Sequence, residues 1–77
     1  MAHNISTMIS KFDVVKGKVS TSTPNGLWIE FEVDNQKLFG FAYYSRIPNN
    51  ASILASVHKI HNDLIVLNVD SVLEYAA

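Results

Sequence analysis

The sequence predicts an all-β domain that folds as a small closed barrel of five strands. Valine, isoleucine, phenylalanine and tyrosine fill five short segments, separated by turn residues such as proline, asparagine, aspartate and glycine. Apolar and polar side chains alternate along several segments, as they do in strands whose two faces meet different surroundings. Glycine also interrupts the first and third segments, as expected where a barrel strand bends.

We predict strands at about residues 12–22, 27–33, 37–44, 53–60 and 64–69. In the first strand, alternation places Val15, Gly17, Val19 and Thr21 inside and Lys16, Lys18 and Ser20 outside. The predicted core consists of Val19, Leu27, Ile29, Phe31, Ala42, Val57, Ile65 and Leu67.

The connections between strands carry recognisable turn residues. Thr23–Gly26 is predicted to turn with Asn25 and Gly26 tolerating positive φ, and Asp34–Asn35 forms the next turn. Residues 45–52 contain a proline and predict a loop or one helical turn.

Towards the end of the chain, His61–Asp63 predicts a tight turn. Residues 70–75 either extend the fifth strand or form a short helix.

The length of 77 residues predicts one domain, with residues 1–11 as an N-terminal leader and 12–77 as the barrel. Ile5, Met8 and Ile9 could fold back from the leader as a short helical turn. The chain has no cysteine, which excludes disulfides and suits a reducing compartment. Its apolar content of 48% and charged content of 17% are those of a folded domain.

The sequence carries no signal for a membrane or for export. No apolar run approaches the roughly 20 residues of a membrane span, and the first residues lack the basic and apolar regions of a signal peptide. We therefore expect a cytoplasmic protein. The net charge of −1 and pI of about 6.2 argue against a strongly electrostatic nucleic-acid binder, but they leave room for a local basic patch.

Aromatic residues mark the outer face of strands two and three. Trp28 alternates with core residues and shares its face with Glu30 and Glu32, which do not enter an apolar core without partners. On strand three, small Gly40 and Ala42, with Leu38 and Tyr44, line the inside. The aromatic platform on the outside comprises Trp28, Phe39, Phe41 and Tyr43.

Five strands with a break after the third fit a five-stranded OB-like Greek-key barrel, whose ligands bind along strands two and three. The segment Gly17-Lys18-Val19, a second glycine nine residues after the first at Gly26, and the run Gly40–Ser45 occur in order. In these motifs the chain resembles S1-type OB-fold domains. Its length and the spacing from Gly17 to Pro24-Asn25 are also similar to those of bacterial translation initiation factor one, a lone S1-like barrel.

The resemblance implies a non-catalytic module that binds single-stranded nucleic acid, with RNA as the expected form. The family's RNA-facing positions fall on Trp28 and Tyr43. The chain departs from the family at Asn25, where an aromatic is common, and at His61–Asp63, which lacks the family's arginine. It also departs from the initiation factor in being mildly acidic rather than basic.

Three different groups could cover the aromatic platform. Unpaired bases could stack on it, each contributing about 1–3 kcal/mol, while Lys16, Lys18 and Arg46 contact phosphates. The same patch could instead bind a protein partner or form a homodimer. It could also be covered by Ile5, Met8 and Ile9. Lys16 and Lys18 could equally form an ordinary solvated face, paired across strands with the two glutamates.

Nothing in the sequence predicts catalysis or a cofactor. The chain has no phosphate-cradling glycine loop and no strained nucleophile turn. His58 and His61 have a spacing that binds metal on a helix, but a strand and a turn place them poorly for this. We expect no metal, no cofactor and no enzymatic activity.

Overall fold

A computed structural model describes residues 9–43 and 46–75 of the chain. The strands are β1 (Val14–Thr23), β2 (Gly26–Val33), β3 (Gln36–Ala42), β4 (Ser52–His61) and β5 (Leu64–Glu74). Within these residues no helix is long and apolar enough to cross a membrane.

The five strands close into a barrel in the order β1-β2-β3-β5-β4, and β4 pairs back onto β1. Neighbouring strands are antiparallel except β3 and β5, which run parallel over three residue pairs. The predicted all-β class is confirmed, and this closed five-stranded barrel is consistent with an OB-like fold.

The barrel interior contains all eight predicted core residues. Leu27 and Ile29 are fully buried and Phe31 is nearly so, whereas Trp28 between them is exposed. This alternation confirms the predicted face of β2. The remaining buried apolar residues are Ile9, Ile47, Ala51, Ile53, Ala55 and Val66.

A bulge in β1 corrects one expectation about the core. Val19 pairs with Ile29, but Thr21 pairs with Trp28, so β1 carries one extra residue, Ser20, at this point. The shift moves Thr21 to the outer face, where it is exposed. The prediction that Thr21 faces inward is therefore wrong, because strict alternation does not continue through a bulge.

Residues 46–51, which precede β4, close the barrel beside this bulge. The Val19 N–H donates to the Ala51 carbonyl at 2.9 Å, and the Asn50 N–H donates to the Val19 carbonyl at 2.8 Å. Ile47 and Ala51 are buried in the core. Residues 46–51 thus form a packed loop with a turn at Asn49–Asn50, and the expected inward position of Tyr44 lies outside the described residues.

The tight turns are formed in two different ways. Asp34 and Asn35 both have positive φ, 52° and 65°, as a type I′ hairpin turn requires. Asn25 and Gly26 do not have positive φ, which corrects the expectation for that turn. The hydroxyl of Thr23 organises it instead, accepting the Gly26 N–H at 3.1 Å and donating to the Gly26 carbonyl at 2.8 Å.

Both ends of the described chain continue the barrel. β5 extends to Glu74, so residues 70–74 lengthen the strand rather than form a helix. Ile9 is buried in the core and borders a hollow with Val15 and Val33, at the far end of β2 from Trp28. Ile5 and Met8, which were expected to fold back together with Ile9, lie outside the described residues.

Substitution of a core residue tests the orientation of β2. Ile29→Ala should lower the free energy of unfolding by about 2–5 kcal/mol, because it leaves a cavity in the barrel. Trp28→Ala should cost less, because the indole is partly in water. Urea denaturation of both variants measures the two costs. A larger loss for Trp28→Ala than for Ile29→Ala would contradict this orientation.

Candidate nucleic-acid interface

Three aromatic rings lie in a row on the outer face of β2 and β3, with the middle ring in contact with the other two. Trp28 pairs directly with Phe41 across the two strands. Their ring centroids are 4.9 Å apart and the rings are inclined by 62°. Tyr43 follows two positions along the same chain, with its ring 5.0 Å from that of Phe41 and inclined by 83°. We call Trp28, Phe41 and Tyr43 the aromatic strip.

The two ends of the aromatic strip are its accessible parts. Tyr43 is 76% exposed and Trp28 is 38% exposed, whereas Phe41 between them is half-buried. Both contacts are edge-to-face, an arrangement that stabilises aromatic pairs. Phe41 therefore holds the two outer rings in position, and Trp28 and Tyr43 offer the strip's most open surface to a ligand.

The Phe41 ring packs against the barrel wall. A Cβ atom at Gly26 would lie 2.5 Å from Phe41 Cζ and 2.5 Å from the Ala42 carbonyl oxygen, so the ring covers a position where only glycine fits. On its other side, Phe41 pairs with Val66 of β5. Val66 does not belong to the residues that pack together inside the barrel, and it is still only 3% exposed. Its neighbours on the outer face therefore cover it.

Phe39 is on the predicted face but apart from the aromatic strip. It is 48% exposed and pairs with Glu30 of β2, not with another aromatic. In the part of the chain that the structure describes, no ring contact joins Phe39 to the strip. The predicted platform of four residues is thus a contiguous group of three with Phe39 beside it.

The predicted phosphate-contacting lysines lie among carboxylates. Lys16 and Lys18 are exposed on β1, and they border a shallow hollow of about 290 Å³ together with Glu30 and Glu32. Lys18 is directly opposite Glu30 in the strand pairing. The two lysines therefore contribute little net positive charge to this part of the surface.

Glu30 makes its ion pair with a different lysine. Lys37 Nζ lies 3.5 Å from Glu30 Oε2, and it is the one such pair among residues 9–43 and 46–75. The expected pairing of Glu30 with Lys16 or Lys18 is thus replaced by a partner on β3. Because Lys37 is largely in water and Glu30 is about one-third exposed, the pair stabilises the fold by at most about 1 kcal/mol.

Arg46, the remaining predicted cation, is exposed in the loop after β3. Its φ of 75° is unusual for a residue with a side chain. Within the described residues, no hydrogen bond, ion pair or cation–π contact joins Arg46 to the aromatic strip.

A groove opens next to Tyr43, where β3 and β5 separate. Their pairing ends at Ala42 and Leu67, while β5 continues along β4 to Glu74. The resulting β3–β5 groove has a volume of about 420 Å³. It is lined by Ala42, Tyr43, His58, Lys59, Val66, Leu67, Asn68 and Val69.

Apart from Tyr43, the polar residues that line the β3–β5 groove were not predicted as site residues from the sequence. Lys59 pairs with Val66, and His58 lies at a bulge that shifts the pairing of β4 with β5. Asn68 follows on β5 and is exposed. No local sequence signal marks these residues, because they reach Tyr43 only through the parallel pairing of β3 with β5.

Within the described ranges, no three His, Asp or Glu side chains come together as a metal site would require. The absence of a metal, a cofactor and enzymatic activity stays a prediction.

A scan against models of protein families finds none that matches this chain, and a search of curated proteins likewise finds no match.

Substitution of Gly26 tests the packing beneath the aromatic strip. Gly26→Ala should lower the free energy of unfolding by about 1–3 kcal/mol, because the added methyl group meets the Phe41 ring and a backbone carbonyl. It should also change the emission of Trp28, which rests on Phe41. Urea denaturation followed by tryptophan fluorescence measures both effects.

Asn25→Ala is the matched control, since it adds no atoms and alters an exposed residue of the same turn. A Gly26→Ala protein with the stability and emission of the control would show that Phe41 does not pack on Gly26.

Proposed function

We propose that this protein is a non-catalytic module that binds single-stranded nucleic acid, RNA in particular, by stacking unpaired bases on the aromatic strip. The observation that carries the proposal is the contact of three aromatic rings on one outer face, with the two end rings accessible. A large aromatic surface that remains in contact with water is typical of a binding site.

The chemistry of stacking matches the geometry of the strip. Every base has a π-face, so an exposed ring binds bases with little sequence preference, at about 1–3 kcal/mol for each stacked base. Trp28 and Tyr43 together would hold two bases. Because part of this energy is spent on ordering a flexible strand, we expect weak affinity and broad sequence tolerance.

The resemblance to S1-type domains supports the same assignment. The family's RNA-facing positions fall on Trp28 and Tyr43, and these are the two accessible ends of the strip. An S1-like role also agrees with the closed five-stranded barrel. We therefore propose an S1-type mode of binding, across strands β2 and β3.

A protein interface is the competing use of this surface. Aromatic residues are enriched at the centres of interfaces, and Phe39 adds a further exposed ring near the strip. A homodimer built on it would bury the strip symmetrically. The two functions differ in salt dependence and in stoichiometry, which makes them separable by experiment.

Fluorescence of Trp28 tests the proposed function directly, since Trp28 is the single tryptophan of the chain. Addition of oligo-uridine at low salt should quench its emission, because a stacked base contacts the indole. If two to four phosphates are neutralised, the log–log salt slope of the affinity should be about −1.5 to −3. Tyr43→Ala should weaken binding by about 1–3 kcal/mol while the fold stays intact.

Tyr75→Ala is the matched control for Tyr43→Ala, because Tyr75 is also an exposed tyrosine, 60% accessible, but follows β5. It should bind like the wild type. Sedimentation of the free protein is measured in parallel. No quenching by single-stranded RNA or DNA, combined with a dimer at micromolar concentration that Tyr43→Glu dissociates, would replace the nucleic-acid proposal with the homodimer.

A further inference from the structure

We propose that a bound strand continues from Tyr43 into the β3–β5 groove, where Lys59 contacts its phosphate. This inference rests on the proposed function and adds a phosphate site on β4 that the sequence did not predict. It also predicts the path of the bound strand over the barrel surface, which leads away from β1 and towards β5 and β4.

The strand pairing places the aromatic strip and Lys59 in one line around the barrel. Trp28 of β2 pairs with Phe41 of β3, Phe41 with Val66 of β5, and Val66 with Lys59 of β4. Neighbouring strands lie about 4.8 Å apart, so Lys59 starts roughly 10 Å from Phe41 along this line. A lysine side chain, with its flexible stem, can then reach a phosphate attached to a nucleotide stacked on the strip.

The groove has the size and the groups that a nucleotide needs. Its volume of about 420 Å³ falls within the range of about 300–1,000 Å³ that is usual for sites of small ligands. Tyr43 forms one wall, and its ring is also the most exposed end of the strip. His58 and Asn68 also line the groove and add hydrogen-bonding groups that can bind a base edge or a phosphate oxygen.

Charge favours this route over the one across β1. The hollow beside Lys16 and Lys18 also contains Glu30 and Glu32, which repel a phosphate. The described residues that line the β3–β5 groove include Lys59 and no carboxylate. The next acidic residue on β5 is Asp70, and its carboxylate accepts a hydrogen bond from the Ser56 hydroxyl at 3.3 Å.

The test compares two lysines that carry the same charge on opposite sides of the aromatic strip. Lys59→Gln and Lys18→Gln each remove one positive charge from an exposed side chain, so a general electrostatic effect is the same for both. Binding of oligo-uridine is measured by fluorescence anisotropy of a labelled strand over a range of salt concentrations. Lys59→Gln should weaken binding about three- to tenfold and make the salt slope about 0.7 shallower, whereas Lys18→Gln should change neither.

Equal effects of the two substitutions, or a larger effect of Lys18→Gln, would overturn the route through the groove. So would wild-type affinity of Lys59→Gln. In each of these cases Tyr43→Ala still weakens binding, and the proposed function stands without the groove. Failure of the proposed function itself is a different result, in which oligo-uridine does not bind to the wild-type protein.

NMR chemical shifts of the backbone amides provide a second test, which uses the wild-type protein alone. In nitrogen-15 NMR spectra, addition of oligo-uridine should shift the amide signals of His58, Lys59 and Asn68 together with that of Tyr43. Shifts at Tyr43 accompanied by shifts at Lys16 and Lys18, and none at the groove, would overturn the inference.

Discussion

The pairing of β2 with β3 is the constraint on which both the core and the candidate site depend. It sets Ile29 opposite Gly40 inside the barrel and Trp28 opposite Phe41 outside. A shift of one residue would exchange the two faces. The interior resists such a shift, because a Cβ atom at Gly40 would lie 2.5 Å from Leu67 Cδ1 and leave no room for a larger side chain. The contacts that close the core therefore also align the aromatic strip.

Features that depend on neighbouring residues could be predicted from the sequence. Alternation along β2 predicted that Ile29 is buried and Trp28 exposed, and Asp34–Asn35 predicted the turn after β2. The exposed position of Thr21 could not be predicted, because the bulge before it depends on how β1 pairs with β2. The β3–β5 groove could not be predicted from the sequence either. It depends on a parallel pairing between Gly40–Ala42 and Ile65–Leu67, which no local pattern specifies.

The charges are arranged so that the two sides of the aromatic strip differ. On the β1 side, Glu30 and Glu32 alternate with lysines, and Lys37 already binds Glu30. Each carboxylate on this side therefore has lysines near it, and each would repel a phosphate that approaches them, so the arrangement suits a solvated face. On the β5 side, Lys59 lines the groove without an acidic neighbour among its described lining. A net charge of −1 for the chain is therefore compatible with a local site for an anion, because what matters to a phosphate is the charge within a Debye length of about 10 Å.

Phe41 links the stability of the barrel to the shape of the proposed site. Its ring lies over Gly26, pairs with Val66 and contacts both Trp28 and Tyr43. Loss of this ring would uncover apolar wall and release the two outer aromatics at once, so its effects on folding and on binding cannot be separated. Tyr43 is attached differently, since it is mostly in water and its described ring contact is with Phe41. A change at Tyr43 therefore reports on binding, whereas a change at Phe41 reports on the support that binding requires.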